Sequence, residues 1–218
     1  MNLRNFLKYA LFRDTTFKGE FRALQRLAGP ACPRSIVDVG ANDGFYASNS
    51  FPFVARGWRA ILIEPHPGAF AKLQRRHAAK PGVVCLNLAC AEAAGKRPLY
   101  FGINSPGGSR STLSTANEFS RVRSEEFTLV QVEPLGAVLT EQAMPRDFGI
   151  LSVDAEGLDY EVLLGLNLEQ WRPRVIITED FAPTNEQKNE YLRRHGYRHS
   201  AQCPMNALWV RQDKSANE

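Results

Sequence analysis

The sequence predicts an α/β fold in which a mostly parallel sheet carries helices on both faces. From residue 35 onward, short apolar runs alternate with helical patterns, and glycine or proline turns separate them. The composition agrees, because 44% of the 218 residues are hydrophobic and 23% are charged, as in folded globular domains. The length predicts one domain over residues 31–218, preceded by a helical extension over residues 1–30.

The N-terminal extension contains two amphipathic stretches on either side of a break at Asp14–Thr16. One interpretation is a helix on a membrane surface, with Arg4, Lys8 and Arg13 on its polar side. The simpler one is a pair of helices that pack on the domain or cover its substrate cleft. The apolar positions are Leu3, Phe6, Leu7, Ala10 and Leu11, and then Phe17, Phe21, Leu24 and Leu27.

Three strands and two helices are predicted in the first half of the domain. The runs SIVDVG and RAILIEP predict the first and second strands, and a helix over SFPFVARG lies between them. A second helix from about Gly68 to His77 precedes the third strand, GVVCLNLAC. Residues 97–103, RPLYFGI, are a candidate fourth strand before the sheet is interrupted.

A long polar segment, residues 104–126, follows these strands. Connections of this length inside a compact domain are usually functional, so we expect a lid or substrate loop, with a surface insert as the alternative. The sheet is then expected to resume with FTLVQVEPL, FGILSVDAEG and RPRVIITEDF, separated by helices. A hairpin of YRHSAQC and NALWVRQ is expected to close one edge.

Charge and cysteine content exclude several classes of protein. The net charge of +4 is too small for a typical nucleic-acid-binding face, and no run of about 18 apolar residues indicates a membrane span. Four cysteines without CxxC spacing indicate reduced thiols rather than a disulfide scaffold. We therefore expect a cytoplasmic protein that has no nucleic-acid partner and no integral membrane segment, and the sequence leaves a homodimer open.

The turn after the first strand, GANDG, indicates where a ligand binds. Ligands of open α/β sheets lie beyond the carboxyl ends of the strands, and Gly40 and Gly44 allow close approach of the backbone. The spacing is not GxGxxG, and acids at Asp38 and Asp43 would repel a pyrophosphate. The turn suits a cation instead, and S-adenosylmethionine is such a ligand because its sulfonium and amino groups are positively charged.

Glu64 strengthens this prediction. It ends the second strand 20 residues beyond Gly44, where a carboxylate can accept both hydroxyls of a ribose. Pro65 follows it, and Asn87 and Ala89, which close the third strand, are expected at the height of the adenine ring. His66 is close enough to serve as a base, although packing on the adenosine or exposure to solvent is the simpler expectation.

Four sequence motifs resemble those of the FkbM family of class I S-adenosylmethionine-dependent methyltransferases: DVGANDGFYASNSFPFVARGWRAILIEPHP, STLST, FGILSVDAEGLDYEVLLGL and WRPRVIITED. The resemblance covers roughly residues 35–210 in the order of the family. It implies a Rossmann-like, seven-stranded sheet with an antiparallel last strand. It also implies methyl transfer, mainly to hydroxyl oxygens of sugars, polysaccharides or polyketide-type metabolites.

The resemblance also implies roles for individual residues. The cofactor turn of the family maps onto Asp38, Gly40, Asn42 and Gly44, its Ser-Asn pair onto Ser48 and Asn49, its ribose acid onto Glu64, and its acidic word onto Asp154, Glu156 and Gly157. This chain departs from many relatives at Gly44, where they have proline or another residue, and at Ser152, where they have lysine. A protein that keeps the cofactor fold without catalysis, and an enzyme for a lipid or polyketide acceptor, are the alternatives.

Acids at the ends of later strands are the candidate catalytic residues. An alcohol must lose its proton during methylation, either to a base or with the help of a metal. Asp154, Glu156 and Glu179 are the candidates for this chemistry, with Asp154 also contacting the cofactor. Asp154, Glu179 and Asp180 could instead hold Mg²⁺ or Ca²⁺, and Glu156 could merely be an acid at a helix start. The sequence thus predicts an O-methyltransferase for a small-molecule or glycan acceptor.

Overall fold

The computed structural model describes residues 14–16, 18–101, 111–113, 127–180 and 185–212. Helices and strands alternate along most of this length, as the sequence predicts. The strands are β1 (Ser35–Val39), β2 (Arg59–Ile63), β3 (Val83–Leu86), β4 (Ala89–Cys90), β5 (Gly95–Phe101), β6 (Ser111–Thr112), β7 (Phe127–Glu133), β8 (Ile150–Val153), β9 (Val175–Glu179), β10 (Tyr197–Cys203) and β11 (Asn206–Arg211). The helices are α1 (Glu20–Ala28), α2 (Phe51–Val54), α3 (Pro67–His77), α4 (Leu135–Glu141), α5 (Asp159–Leu166) and α6 (Asn185–Arg194).

A seven-stranded sheet forms the centre of the domain, in the order β10-β11-β9-β8-β1-β2-β3. Five neighbouring strands of this sheet, β9, β8, β1, β2 and β3, run parallel, and β11 is antiparallel to both β9 and β10. The predicted mostly parallel sheet with a reversed last strand is therefore confirmed, as is the closing hairpin of β10 and β11. Strands buried on both faces explain the continuous apolar runs of β1, β2, β8 and β9.

The parallel strands end at the same level, and this alignment positions the site. Val39 of β1 pairs with Ile63 of β2 and Val153 of β8, and Val153 pairs with Thr178 of β9. The residues that follow these positions therefore lie side by side along one edge of the sheet. We call it the carboxyl edge; the opposite edge, where the parallel strands begin, is the amino edge.

A second, four-stranded sheet in the order β4-β7-β5-β6 corrects the sequence-based assignment. The prediction placed residues 82–90 in one strand and residues 127–135 in the main sheet, but the chain turns between β3 and β4. Asn87 causes the turn, because its Nδ2 donates to the carbonyl oxygens of Glu64 and Pro65. The alternating burial of β7, with Val130 and Val132 inside, is typical of a sheet that covers a core on one face.

The segment before β1 packs on the main sheet. Phe21 and Leu24 of α1 are buried in the apolar cluster beneath the sheet, and Asn206 at the start of β11 donates to Glu20. Thr16 forms a bridge with Ala47, in the loop after the glycine turn. The apolar positions of the first predicted stretch, and Phe17, lie outside the described residues. No helix in the described ranges is both long and apolar enough to cross a membrane.

Candidate active site

Gly40 opens the turn after β1 and is held against the end of β8. Its N–H and that of Ala41 donate to the Ile63 carbonyl, both at 2.9 Å. A Cβ at position 40 would lie 1.9 Å from the Asp154 carbonyl oxygen, and the backbone has a φ of 85°. Only glycine fits here, because any side chain would collide with backbone atoms. This contact brings the predicted cofactor turn and the predicted catalytic acids together.

Glu64 holds the same turn from the other side. Its Oε2 accepts the N–H of Asn42 at 2.8 Å, and its Oε1 accepts the N–H of His66 at 2.7 Å. Asn42 needs this support, because its φ of 51° is in the left-handed region. Each carboxylate oxygen can still accept a second hydrogen bond, so binding to a ribose stays compatible with this arrangement.

Burial raises the pKa of Glu64 from 4.5 to about 7, against the lowering effect of its two backbone hydrogen bonds. The charges of Asp38 and Glu156 add to the increase. Only 6% of Glu64 is exposed, so its charge is poorly solvated. A positively charged ligand would favour the ionised form.

Gly44 and Asp43 fasten the end of the turn to α3. A Cβ at Gly44 would lie 2.5 Å from Leu73 and 2.7 Å from His77, whose Nε2 is 2.8 Å from the Gly44 carbonyl oxygen. The carboxylate of Asp43 accepts the N–H groups of Phe45 and Tyr46 and pairs with Arg76 at 3.2 Å. Gly44 is thus required by packing.

Asp38, Ser48 and Asn49 meet in a buried polar network near the turn. Asp38 accepts a hydrogen bond from Ser50, and the Ser48 and Ser50 hydroxyls lie 3.2 Å apart. Asn49 Nδ2 donates to Ser152 Oγ at 3.2 Å. Burial raises the pKa of Asp38, while the hydrogen bonds from the serines lower it. The network ties β1 to β8; Ser50 and Ser152 were not predicted as part of it.

Asp154, Glu156 and Glu179 crowd together at the carboxyl edge. Asp154 is exposed, whereas Glu179 is 6% exposed. Burial, followed by the charges of Asp154, Asp159 and Glu156, raises the pKa of Glu179 to about 11. The protein atoms packed around Asp154, and then the charges of Glu156, Asp159 and Asp38, raise its pKa well above the ordinary value, although part of its side-chain surface is open to solvent. Since Asp154 retains solvent-accessible surface among so many protein atoms, we infer that it faces a cleft.

A side-chain hydrogen bond between Asp154 and Glu179 lowers the pKa of Asp154 and raises that of Glu179, and we call these two residues the acid pair. The buried Oε2 of Glu179 has no hydrogen-bond partner among the described residues. A proton held between the two carboxyl groups supplies a donor, because a protonated carboxyl donates to an ionised one. The pair then carries one negative charge, and its exposed member, Asp154, can accept another proton.

Two charged residues that the sequence analysis did not identify, Asp159 and Lys188, surround Glu179. Asp159 accepts the N–H of Ala155 at 3.0 Å through Oδ1 and the N–H of Glu179 at 2.9 Å through Oδ2. Lys188 donates to the Glu179 carbonyl oxygen and to Asn185 Oδ1. Asp159 is the first residue of α5, so its sequence position suggests only an acid in the first helical turn.

Asp180 does not join the other predicted metal ligands. Its two carboxylate oxygens accept hydrogen bonds from Asn185 at 3.2 Å and from Gln202 at 2.8 Å. Asp180 is thus engaged by α6 and the β10–β11 hairpin, whereas Glu179 meets Asp154. The described ranges contain no group of three or more side chains suited to a metal ion. The predicted Mg²⁺ or Ca²⁺ site at Asp154, Glu179 and Asp180 is therefore not supported.

The predicted adenine end of the site is organised by His66 and Asn87. His66 Nδ1 accepts the N–H groups of Gly68 and Ala69, both at 3.1 Å, and so caps α3. Burial lowers the pKa of His66, and its Nδ1 is occupied by the cap, so it is not available as a base. Asn87 contacts the backbone of Glu64 and Pro65, while Ala89 is buried in the second sheet.

Three residues of the predicted lid are described, and one of them, Thr112, binds the acidic turn. Thr112 Oγ1 donates to the Glu156 carbonyl oxygen at 3.2 Å, and both Thr112 and Leu113 are buried. This contact supports a strained turn, because Glu156 has a φ of 50° and Gly157 a φ of 96°. The other residues of the predicted lid lie outside the described ranges, including Arg110, Arg121 and Arg123.

Comparisons with known proteins agree with this architecture. The family model for the methyltransferase FkbM domain matches residues 38–199. Methyltransferase sdnD of Sordaria araneosa is 30% identical over 178 residues, which cover 68% of this chain and 67% of the relative.

Two solved structures share the fold. A methyltransferase FkbM from Methylobacillus flagellatus KT has a TM-score of 0.50 and 17% identity, and the match covers 82% of this chain and 43% of the other. This chain therefore corresponds to less than half of that protein. A precorrin-6y C5,15-methyltransferase from Geobacter metallireducens GS-15 has a TM-score of 0.52 and 14% identity, with 92% of both chains covered.

Proposed function

Because the chain belongs to the FkbM family of methyltransferases, we propose that it transfers a methyl group from S-adenosylmethionine to a hydroxyl oxygen of a sugar, polysaccharide precursor or related small metabolite. One observation carries the proposal. The turn at Gly40 is held between Glu64 and the Asp154 backbone, so the cofactor position and the acid pair share one edge of the sheet.

The residues at this edge fit a cationic methyl donor. Burial, and then the charges of neighbouring acids, raise the pKa values of Glu64, Asp154 and Glu179, and these neighbours include Asp38 and Glu156. A sulfonium and an ammonium group would relieve this repulsion. S-adenosylmethionine is the usual cofactor of methyltransferases with this fold, and when bound it supplies a methyl group that is activated by the sulfonium. Glu64 would hold its ribose, and the turn over Gly40 and Asn42 would lie against it.

Asp154 is the proposed base for the acceptor. During transfer the hydroxyl oxygen forms a bond to the methyl carbon, the carbon–sulfur bond breaks, and its electron pair stays on sulfur. The hydroxyl proton passes to the ionised carboxylate of the acid pair, and Asp154 is its solvent-accessible member. The positive charge on sulfur and the negative charge of the pair disappear together.

The experiment is a turnover assay with a matched pair of variants. Purified protein is incubated with S-adenosylmethionine and a panel of neutral glycans, nucleotide sugars and glycolipids, and S-adenosylhomocysteine is measured with the methylated product. We expect an O-methyl ether that wild type and Asp147→Asn form and Asp154→Asn does not. Cofactor binding without turnover on the hydroxylated panel would contradict O-methylation and favour a non-catalytic binding role. A methylated amine or carbon product would identify a different reaction.

A further inference from the structure

We propose that Asp159 and Lys188 are positioning residues that hold Glu179 against Asp154 and thereby set the geometry of the acid pair. The functional importance of this pair rests on the proposed O-methylation. The two residues are called the clamp below. Neither is assigned a contact with the cofactor or acceptor, and both act through the backbone of Glu179.

The first arm of the clamp joins the ends of two strands. Asp159 uses one carboxylate oxygen for the N–H of Ala155, just after β8, and the other for the N–H of Glu179, at the end of β9. Asp154 precedes Ala155 directly, so a single side chain fixes the peptides next to both members of the pair. Both hydrogen bonds are charge-assisted and therefore resist local movement.

The second arm comes from α6. Lys188 donates to the carbonyl oxygen of Glu179, so the N–H and the C=O of this one residue are both bound by charged side chains. Asn185, one turn earlier on the same helix, accepts from the Lys188 ammonium at 3.0 Å and fixes its direction. The main chain of Glu179, from which its carboxyl group extends, is therefore fixed on both sides.

Stability alone does not explain the clamp. Asp159 and Lys188 are each only 1% exposed, and a buried charge loses most of its hydration. Well-packed uncharged residues often replace buried charged groups without loss of stability, so buried charges are weak evidence for a purely stabilising role. The hydrogen bonds of both residues reach the backbone of Ala155 and Glu179 and the side chain of Asn185, around the acid pair. The arrangement therefore favours orientation of Glu179 as its purpose.

The cofactor turn has hydrogen bonds of its own, and the clamp meets it through one shared peptide. Glu64 binds the N–H groups of Asn42 and His66, and the N–H groups of Gly40 and Ala41 bind Ile63. The peptide between Asp154 and Ala155 carries both the carbonyl oxygen that lies against Gly40 and the N–H that Asp159 binds. Removal of the clamp charges should therefore uncouple the acid pair and leave cofactor binding in place. Loss of the turn itself would instead abolish binding, so the two failures are distinguishable.

The test measures whether replacing Glu179 changes the NMR signal of the Asp154 carboxyl carbon. Protein labelled with ¹³C at aspartate carboxyl carbons is studied by NMR at one pH, and the Asp154 signal is compared with and without Glu179→Gln. We expect this substitution to move the signal in wild type but not in the Asp159→Asn/Lys188→Met background. The matched control is Arg97→Met/Glu161→Gln, which removes an ion pair of 2.8 Å that also involves α5. The response should persist there.

Two further readouts separate positioning from general damage. Affinity for S-adenosylhomocysteine should remain within about twofold of wild type in the clamp variant, because Glu64 and the turn over Gly40 and Asn42 keep their own hydrogen bonds. Turnover on an acceptor from the panel should fall about tenfold or more, as expected when a reacting group loses its alignment. If wild type fails to bind S-adenosylhomocysteine, the proposed function fails, while the NMR comparison still tests the clamp.

An unchanged response of Asp154 to Glu179→Gln in the clamp variant would overturn the proposal. Should the double variant fail to fold, Asp159→Asn alone carries the same test. Its amide has one carbonyl oxygen for two N–H donors, so the Asp154 response should fall by about half or more. A full response in that variant would equally refute a positioning role.

Discussion

The amino edge of the main sheet carries arginines and the carboxyl edge carries acids, and the two sets of charges have different partners. At the amino edge, arginines bind carbonyl oxygens or an acid: Arg34 donates to Arg56, Arg59 to Gln142, and Arg211 to Asp147. At the carboxyl edge, burial and then neighbouring acidic charges raise the pKa values of Asp154 and Glu179. The arginines of the amino edge are thus bound by oxygen atoms, whereas the acids of the carboxyl edge lie against one another, with Lys188 beside Glu179. The comparison indicates that the cost of burying like charges falls on the carboxyl edge, where a cationic ligand would relieve it.

Asp154→Asn should give the largest effect, because it removes the proposed base at the carboxyl edge. We expect turnover to fall by about 10²- to 10⁴-fold, the usual contribution of general base catalysis. Folding should be almost unaffected or improved, since a mutually repelling acid is removed. Product formation and thermal unfolding measure the two quantities. A variant that keeps full activity would exclude Asp154 from the reaction and break the contrast between the edges.

Gly40→Ala should be nearly as severe, because the added methyl group would overlap the Asp154 carbonyl oxygen. We expect the unfolding free energy to fall by about 3 kcal/mol or more. We also expect the affinity for the cofactor to fall, because the turn that would contact it is displaced. Gly95→Ala is the control, because a Cβ at that position would meet nothing within 4 Å. Urea denaturation and calorimetry test this. Equal behaviour of the two variants would show that the turn is not held against β8.

Some features of this edge could be predicted from sequence and others could not. The glycine turn, Glu64 and the acidic strand ends follow from local signals, namely apolar runs that end in glycine or acid. The metal site predicted with Asp180 is not supported, because Asp180 follows β9 and binds Asn185 and Gln202, contacts that the sequence does not reveal. The second sheet could not be predicted, because the pairing of β4 with β7 is non-local. Asp159 and Lys188 were missed because their importance depends on contacts between α5, β9 and α6.

The pH dependence of stability tests whether the acids of the carboxyl edge are poorly solvated, and Glu64 is the acid that we use. Its pKa rises from 4.5 to about 7 on folding, so between these values the folded state holds a proton that the unfolded state lacks. Unfolding free energy should therefore decrease as pH rises through this window, by up to roughly 3 kcal/mol for this nearly buried group. Other acids with raised pKa values act in the same direction. The contribution of Glu64 is thus the difference between wild type and Glu64→Gln.

Urea denaturation at pH 5 and pH 7.5 measures this difference. Wild type should lose more stability than Glu64→Gln over this interval, because glutamine has no proton to release. Identical losses in the two proteins would mean that Glu64 ionises normally and that the carboxyl edge is well solvated. S-adenosylmethionine should reduce the wild-type loss, because a bound cation favours the ionised carboxylate.

Asp147→Asn at the amino edge should have the smallest effect. The carboxylate of Asp147 is 63% exposed in its pair with Arg211, and exposed pairs contribute about 0–1 kcal/mol. Arg211 keeps its bond to the Arg172 carbonyl oxygen in this variant. Stability should change by less than about 1 kcal/mol, and cofactor affinity should not change. A marked loss of turnover would show that the amino edge also participates in the reaction.

Calorimetric titration of wild type and Glu64→Ala with S-adenosylmethionine tests the central claim most directly, namely that the acidic carboxyl edge binds a cationic methyl donor. We predict one saturable site in wild type, with binding weakened in Glu64→Ala by about 1–3 kcal/mol. NADH, titrated in parallel, should give no binding, because its pyrophosphate would meet the acids. Absence of S-adenosylmethionine binding to wild type, equal affinity in the variant, or binding of NADH instead would contradict the account.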